Sequence, residues 1–320
     1  MGAVLPVVAL APRTAQAEAL DAADRAKAVQ SLRDYHQLFR DRKVEIDVRF
    51  RNHFRPAEFP RPVFYECQIV AANKWMLIEE EVGPIYGIGG DKSDATTYTS
   101  KSVFDLRSER GLEVLVRDDD GSITQVTRAK RMRGHFGVMR LSGRLLAQTV
   151  GWLDFWGPWL KERDPTLDPV DVLESSPVIR RVRSADGETR LVAKLILESG
   201  RECEMRFSDL PDVRLTAQRL AWPGRSEIIG EVRYRLDADG FRQPLAFRDM
   251  RRRIDQTPPR IDVVEEALVT RFSMRPSDES EPPPVIEVPD DVRIHDDGPD
   301  DDGENQVAVP ASEPAAETKP

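Results

Sequence analysis

The sequence predicts a β-rich α+β fold: a curved antiparallel sheet, or half-barrel, with an N-terminal helix and a mid-chain plug helix. Three observations predict it. From Lys43 to Met274 short runs of alternating apolar and polar residues follow one another, with turn signals between them. One stretch breaks that rhythm, Leu141–Lys161, which carries Trp152, Trp156 and Trp159. An amphipathic pattern over Asp21–Arg40 precedes the first strand, with Ala28, Leu32, Tyr35 and Phe39 on one face of a 3.6-residue period.

The elements follow in order. Lys43–Phe54 alternates Val44, Ile46, Val48 and Phe50 with Glu45, Asp47, Arg49 and Arg51, which gives one buried and one wet face. Pro56, Pro60 and Pro62 end it. Val63–Val70 and Lys74–Val82 pair around Ala71-Ala72-Asn73, a glycine-rich loop occupies Gly83–Gly90, and Thr96–Leu106 and Leu112–Arg117 follow. The dipeptides Asp120-Gly121, Asp186-Gly187, Ser199-Gly200, Pro223-Gly224 and Asp239-Gly240 mark tight turns, because glycine supplies the positive φ that hairpins require. Between the later ones lie Val178–Arg183, Thr189–Glu198, Glu202–Phe207, Val213–Trp222, Glu227–Leu236, Leu245–Ile254 and Arg260–Met274. Asp168-Pro169 reads as the cap and first turn of a short helix to Glu174.

Three regions result: a signal-peptide-like leader over residues 1–20, one half-barrel domain over 21–275, and an acidic, Pro-rich tail over 276–320 with an edge strand at 285–289. The leader rests on an apolar run at 3–11 followed by Ala15-Gln16-Ala17, a small-x-small cleavage pattern without the usual basic start. An Ala-rich leader with no targeting role is the alternative. The tail holds 14 acidic and two basic side chains, a net of −12; the other 275 residues hold 45 basic and 42 acidic, a net of +3. The low pI therefore belongs to the tail, which is expected to be disordered. The near-neutral body offers no electrostatic footprint for nucleic acid.

Chemistry-bearing patterns are few. His36, His53, His135 and His295 are dispersed and form no metal-binding spacing. No nucleophile elbow occurs, and Gly87-Ile88-Gly89-Gly90-Asp91-Lys92 does not match a phosphate loop. No catalytic residue, metal or cofactor is expected, and the chain reads as a non-enzyme. Cys67 and Cys203 occupy inward strand positions, where a disulfide would need their Cα atoms within about 7 Å. The basic runs Arg128–Arg133 and Arg251-Arg252-Arg253 read as solvated faces or as contacts for anions. The tryptophan-striped helix reads either as a plug over an apolar cavity or as an ordinary core helix. The expected cavity liners are Val44, Ile46, Val48, Phe50, Trp75, Leu77, Trp152, Trp156 and Trp159.

On these residues the chain resembles the LolA/LolB-like superfamily of periplasmic lipoprotein carriers. The helix Asp21–Arg40, the strand Lys43–Phe54 directly after it and the mid-chain helix Leu141–Lys161 are similar in placement. Val288–Asp296, with Pro289-Asp290-Asp291-Val292, looks like the closing Pro-x-x-Val segment common there. The resemblance implies a half-barrel closed by helices around a hydrophobic cavity. It implies a monomeric, exported binding protein for lipid or an acylated protein. The alternative is a cell-envelope interaction protein with a self-filled core and a partner held by the acidic tail.

Overall fold

The computed structural model describes residues 17–58, 62–72, 74–82, 98–106, 110–119, 122–132, 141–156, 168–183, 187–197, 199–278, 280–288 and 294–296. Among the described residues fifteen strands form one open sheet that does not close into a barrel. Strands β2 (Arg42–Phe54), β3 (Val63–Ala72), β4 (Trp75–Val82), β5 (Tyr98–Asp105), β6 (Arg110–Asp119) and β7 (Ser122–Met132) make the first meander. Strands β8 (Ile179–Arg183), β9 (Thr189–Ile196), β10 (Glu202–Ser208), β11 (Leu215–Trp222), β12 (Ser226–Leu236), β13 (Arg242–Arg253) and β14 (Arg260–Pro276) make the second. The long strand β14 returns to pair with β2, so the two meanders become one antiparallel surface. Short strands complete the edges: β1 (Ala17–Ala19) pairs with β8, and β15 (Ile294–Asp296) runs parallel to β7.

Among the described residues three helices lie on the apolar face: α1 (Ala22–Arg40), α2 (Leu141–Val150) and α3 (Pro169–Ser175). Asp21 caps α1 by accepting a hydrogen bond from the Asp24 backbone N–H at 2.7 Å, and Asp168 caps α3 from Val170 N–H at 2.9 Å. The predicted stripe of α1 is its buried face: Ala28, Leu32, Tyr35 and Phe39 are all at most 1% exposed. Beneath it Tyr35, Phe39, Trp152, Phe241 and Phe272 form an aromatic cluster. Phe39 meets Trp152 and Phe272 edge-on, with ring centroids 6.2 and 6.0 Å apart.

Four expectations change at the level of elements. The mid-chain helix stops at Val150 rather than Lys161. Gly151 takes φ +75°, and Trp152 N–H donates to the Ala147 carbonyl at 2.9 Å, a Schellman end that only a glycine enters without strain. A Cβ at Gly151 would also sit 2.6 Å from His36 Cβ, so α2 ends directly against α1. A 3₁₀ turn, Leu153–Trp156, then carries the chain on. The sheet gains β7, whose basic residues Arg128, Lys130 and Arg131 mask its alternation in the sequence. Ala17–Ala19 lies within the predicted leader yet pairs with β8, and Leu20 N–H donates to Ile179 O at 2.8 Å. Finally, residues 285–288 join no ladder; the C-terminal strand is Ile294–Asp296. The leader before residue 17, the loop at 83–90 and the tail after 296 lie outside the described residues.

Candidate functional site beneath helix α2

Cross-strand register decides which side chains share the helix-covered face, because paired residues point the same way. Val44 pairs with Ala71 and Ala71 with Met76; Ile46 pairs with Ile69 and Ile69 with Ile78. Val48, Phe50 and their partners Cys67 and Tyr65 continue this face. Trp75 and Leu77 fall between these pairs and therefore lie on the opposite face, which corrects their assignment to a shared cavity wall. Lys43 Nζ stands 5.2 Å from the centre of the Trp75 ring on that outer side. Trp152 does join the inner face, but from the turn after α2 and within the aromatic cluster. The Trp156 side chain and all of Trp159 lie outside the described residues.

The inner liners meet protein and not an open lumen. Val44 and Ile46 are 0% exposed, Val48 2% and Phe50 6%, and all belong to one apolar cluster with α1, α2 and α3. Cys67 and Cys203 are both buried and unbridged, on strands six places apart in the sheet.

One row interrupts this apolar face. Gln218 on β11 pairs with Gly230 on β12, Gly230 with Asp249 on β13, Asp249 with Glu265 on β14, and Glu265 with Asn52 on β2. The row on one side is apolar: Val232, Phe247, Ala267 and Phe50. The row on the other side, Leu220, Ile228, Arg251, Val263 and Phe54, leads out to exposed Arg251 and Phe54. Helix α2 packs on β12, β13 and β14. Its Gln148 is fully buried, and half-buried Arg144 is one helical turn earlier on the same side.

The row is buried and only partly satisfied. Gln218, Asp249 and Glu265 are each at most 2% exposed. Asn52 Nδ2 donates to Glu265 Oε2 at 3.4 Å. Both carboxyl oxygens of Asp249, and both amide atoms of Gln218, have no hydrogen-bond partner. They converge over Gly230: a Cβ there would lie 2.7 Å from Asp249 Oδ1 and 3.1 Å from Gln218 Nε2. The missing side chain leaves the place where the two polar groups meet. Burial pushes the Asp249 carboxyl up to about 8; the Arg144 charge opposes this and the Glu265 charge adds to it. At neutral pH Asp249 therefore holds its proton.

A second buried titratable group lies at the crossing of α1 and α2. His36 is pushed down to about 4 by burial, against the pull of Asp168 and with the help of Arg40 and Arg214. Its Nε2 has no hydrogen-bond partner. His36 and Asp249 are both buried in this arrangement. Among the described residues no group of three or more His, Cys, Asp or Glu is placed to hold a metal ion, and no helix is long and apolar enough to cross a membrane.

The outer face carries an open groove of about 360 Å³ lined by Arg49, Arg51, Phe64, Arg248, Glu266 and Leu268. Its charges are laddered, with Arg51 3.3 Å and Arg248 3.8 Å from Glu266. At the end of the same sheet face, buried Glu227 takes hydrogen bonds from Arg219 and Arg252 that more than offset its burial, so its carboxyl is held below the ordinary value.

Of the row beneath α2, the sequence reading named no member. The signal was present as breaks in alternation: Gly230 between Ile228 and Val232, Asp249 after Phe247, Glu265 before Ala267. Those breaks align into a row only once the register is known. The chain matches no protein-family model, and no curated protein matches it in sequence.

Proposed function

We propose that this is an exported, non-enzymatic binding protein of the LolA/LolB-like kind. It holds an acyl chain, of a lipid or of an acylated protein, on the concave face of its sheet, and the arrangement described above is its plugged state. The observation that carries this reading is the seat of α2. The helix covers an otherwise apolar face of the sheet, yet it packs on strands whose buried Asp249 and Gln218 lack hydrogen bonds. A buried polar group without a partner costs about 1–3 kcal/mol, so this seat is poorer than a dry one. Moving α2 aside lets water or a ligand satisfy the row. It also frees Val44, Ile46, Val48, Phe50 and Trp152 to receive hydrocarbon, worth roughly 0.8 kcal/mol per CH₂.

Native mass spectrometry of the purified chain, followed by organic extraction, tests this reading. The expected result is a co-purifying acyl species or uptake of added decanoylglycerol. A clean apo mass with no uptake of any acyl compound contradicts it.

A specific observation favours a second reading, the cell-envelope interaction protein. The liners named above are already enclosed by the protein's own helices. On that reading α2 is a permanent core helix, the protein is a monomer that recruits its partner elsewhere, and the acidic tail is the contact. Removal of residues 297–320 abolishes partner recovery on this second reading and leaves acyl uptake unchanged on the first.

A further inference from the structure

The row beneath α2 has a chemistry that an acyl chain alone does not use. We propose that Asn52, Glu265, Asp249 and Gln218 form the headgroup subsite of the acyl ligand. We further propose that this subsite takes a neutral headgroup with hydroxyl or amide N–H donors and rejects carboxylate and phosphate. The inference rests on the carrier reading above and narrows it to a ligand class.

The first argument is position. On the helix-covered face the row lies between the side-chain row that reaches exposed Arg251 and Phe54 and the apolar row of Val232, Phe247, Ala267 and Phe50. An acyl chain laid on the apolar rows puts its polar end at this row. The second argument is hydrogen-bonding capacity. Gln218 is 2% exposed, its amide atoms have no partner, and it converges with Asp249 on the open space over Gly230. The carboxyl oxygens and amide carbonyls together are rich in acceptors, which match headgroup O–H and N–H donors.

The third argument is charge. Asp249 and Glu265 are cross-strand partners on the strands. The cation that faces Asp249, Arg144, is carried by α2 and leaves with it. Opening also admits water and lifts the burial that keeps Asp249 protonated, so the open site presents carboxylates and keeps no strand-borne cation within the row. An anionic headgroup there meets like charge at close range in a poorly screened site. A glyceryl or amide headgroup donates to the same oxygens without that repulsion.

Decanoylglycerol and decanoate share a chain and differ in headgroup charge, so they test the inference on the full chain at neutral pH. The expected result is decanoylglycerol binding at least about tenfold more tightly than decanoate, a modest estimate for one unrelieved like-charge contact. The double variant Asp249→Asn with Glu265→Gln removes both carboxylates at nearly constant shape and is expected to bring the two affinities to within about twofold. Equal or tighter binding of decanoate by the unaltered chain overturns the headgroup assignment while leaving the carrier reading intact. This comparison needs no variant to fold. A preference that persists in a folded double variant places selectivity elsewhere and also overturns it. Binding of neither compound removes the carrier reading itself, and the inference with it.

Discussion

Helices α1 and α2 cover the same sheet but sit on it differently. Helix α1 lays Leu32 and Phe39 onto aromatic and aliphatic partners; its Tyr35 ring lies 3.7 Å from the Arg214 guanidinium and donates its hydroxyl to the Arg242 carbonyl at 3.1 Å, and its His36 faces the end of α2. Helix α2 is enclosed at every position from Leu145 to Val150, yet it meets β12, β13 and β14 over the row of Gln218, Asp249 and Glu265. Burial alone does not distinguish the two helices. What lies beneath them does: a dry seat ties a helix to the global fold, and a partly unsatisfied seat lowers the cost of moving one.

The largest expected effect breaks the dry seat. Phe39→Ala removes the ring that touches Trp152, Phe241 and Phe272, and is expected to cost about 3–5 kcal/mol in denaturant unfolding. A loss below 1 kcal/mol contradicts the claim that α1 is anchored there. Next comes the joint between the helices. Gly151→Ala adds a Cβ at positive φ and against His36, and should cost about 2 kcal/mol or more in the same assay.

The polar seat has the opposite sign. The Asp249 carboxyl, held near 8, lies above its ordinary 3.8, so the folded chain keeps a proton that the unfolded chain releases. Its contribution is full below the ordinary value and is lost as pH rises to about 8 and just beyond. His36, lowered from 6.5 to about 4, contributes stability above 6.5 that is lost as pH falls towards 4. Below 6.5 the two trends oppose one another; between 6.5 and 8 only Asp249 of this pair titrates. Unfolding free energy should therefore fall across that upper window, and Asp249→Asn should flatten the fall. A flat profile in the unaltered chain, or an unchanged slope in the variant, shows that Asp249 ionises freely.

The smallest effect lies on the outer face. Arg51→Ala breaks an exposed ladder to Glu266 and should change stability by less than about 0.5 kcal/mol. Equal sensitivity of this position and Phe39 would erase the contrast between wet and dry faces.

Much of the fold was legible because its signals are local. The α1 stripe, the Asp168-Pro169 start of α3 and the glycine turns at 187, 200, 224 and 240 each depend on neighbours in sequence. Strand β7 was hidden by its basic residues, and the end of α2 by a glycine whose role depends on His36, far away in the chain. Register was the other barrier. Trp75 looks like a cavity residue until its pairing with Ala72 puts it on the outer side, and Asp249 looks like any surface acid until Gly230 and Glu265 flank it.

Native-state hydrogen exchange across α1 and α2 tests the central claim most directly. The amides of Leu145–Val150 are expected to exchange through a partial opening, at a lower free energy than those of Leu32–Phe39, which should exchange only on global unfolding. Added decanoylglycerol should lower the protection of α2 and leave α1 unchanged. If both helices exchange only by global unfolding, with or without the acyl compound, α2 is a fixed part of the core and the plug account is wrong.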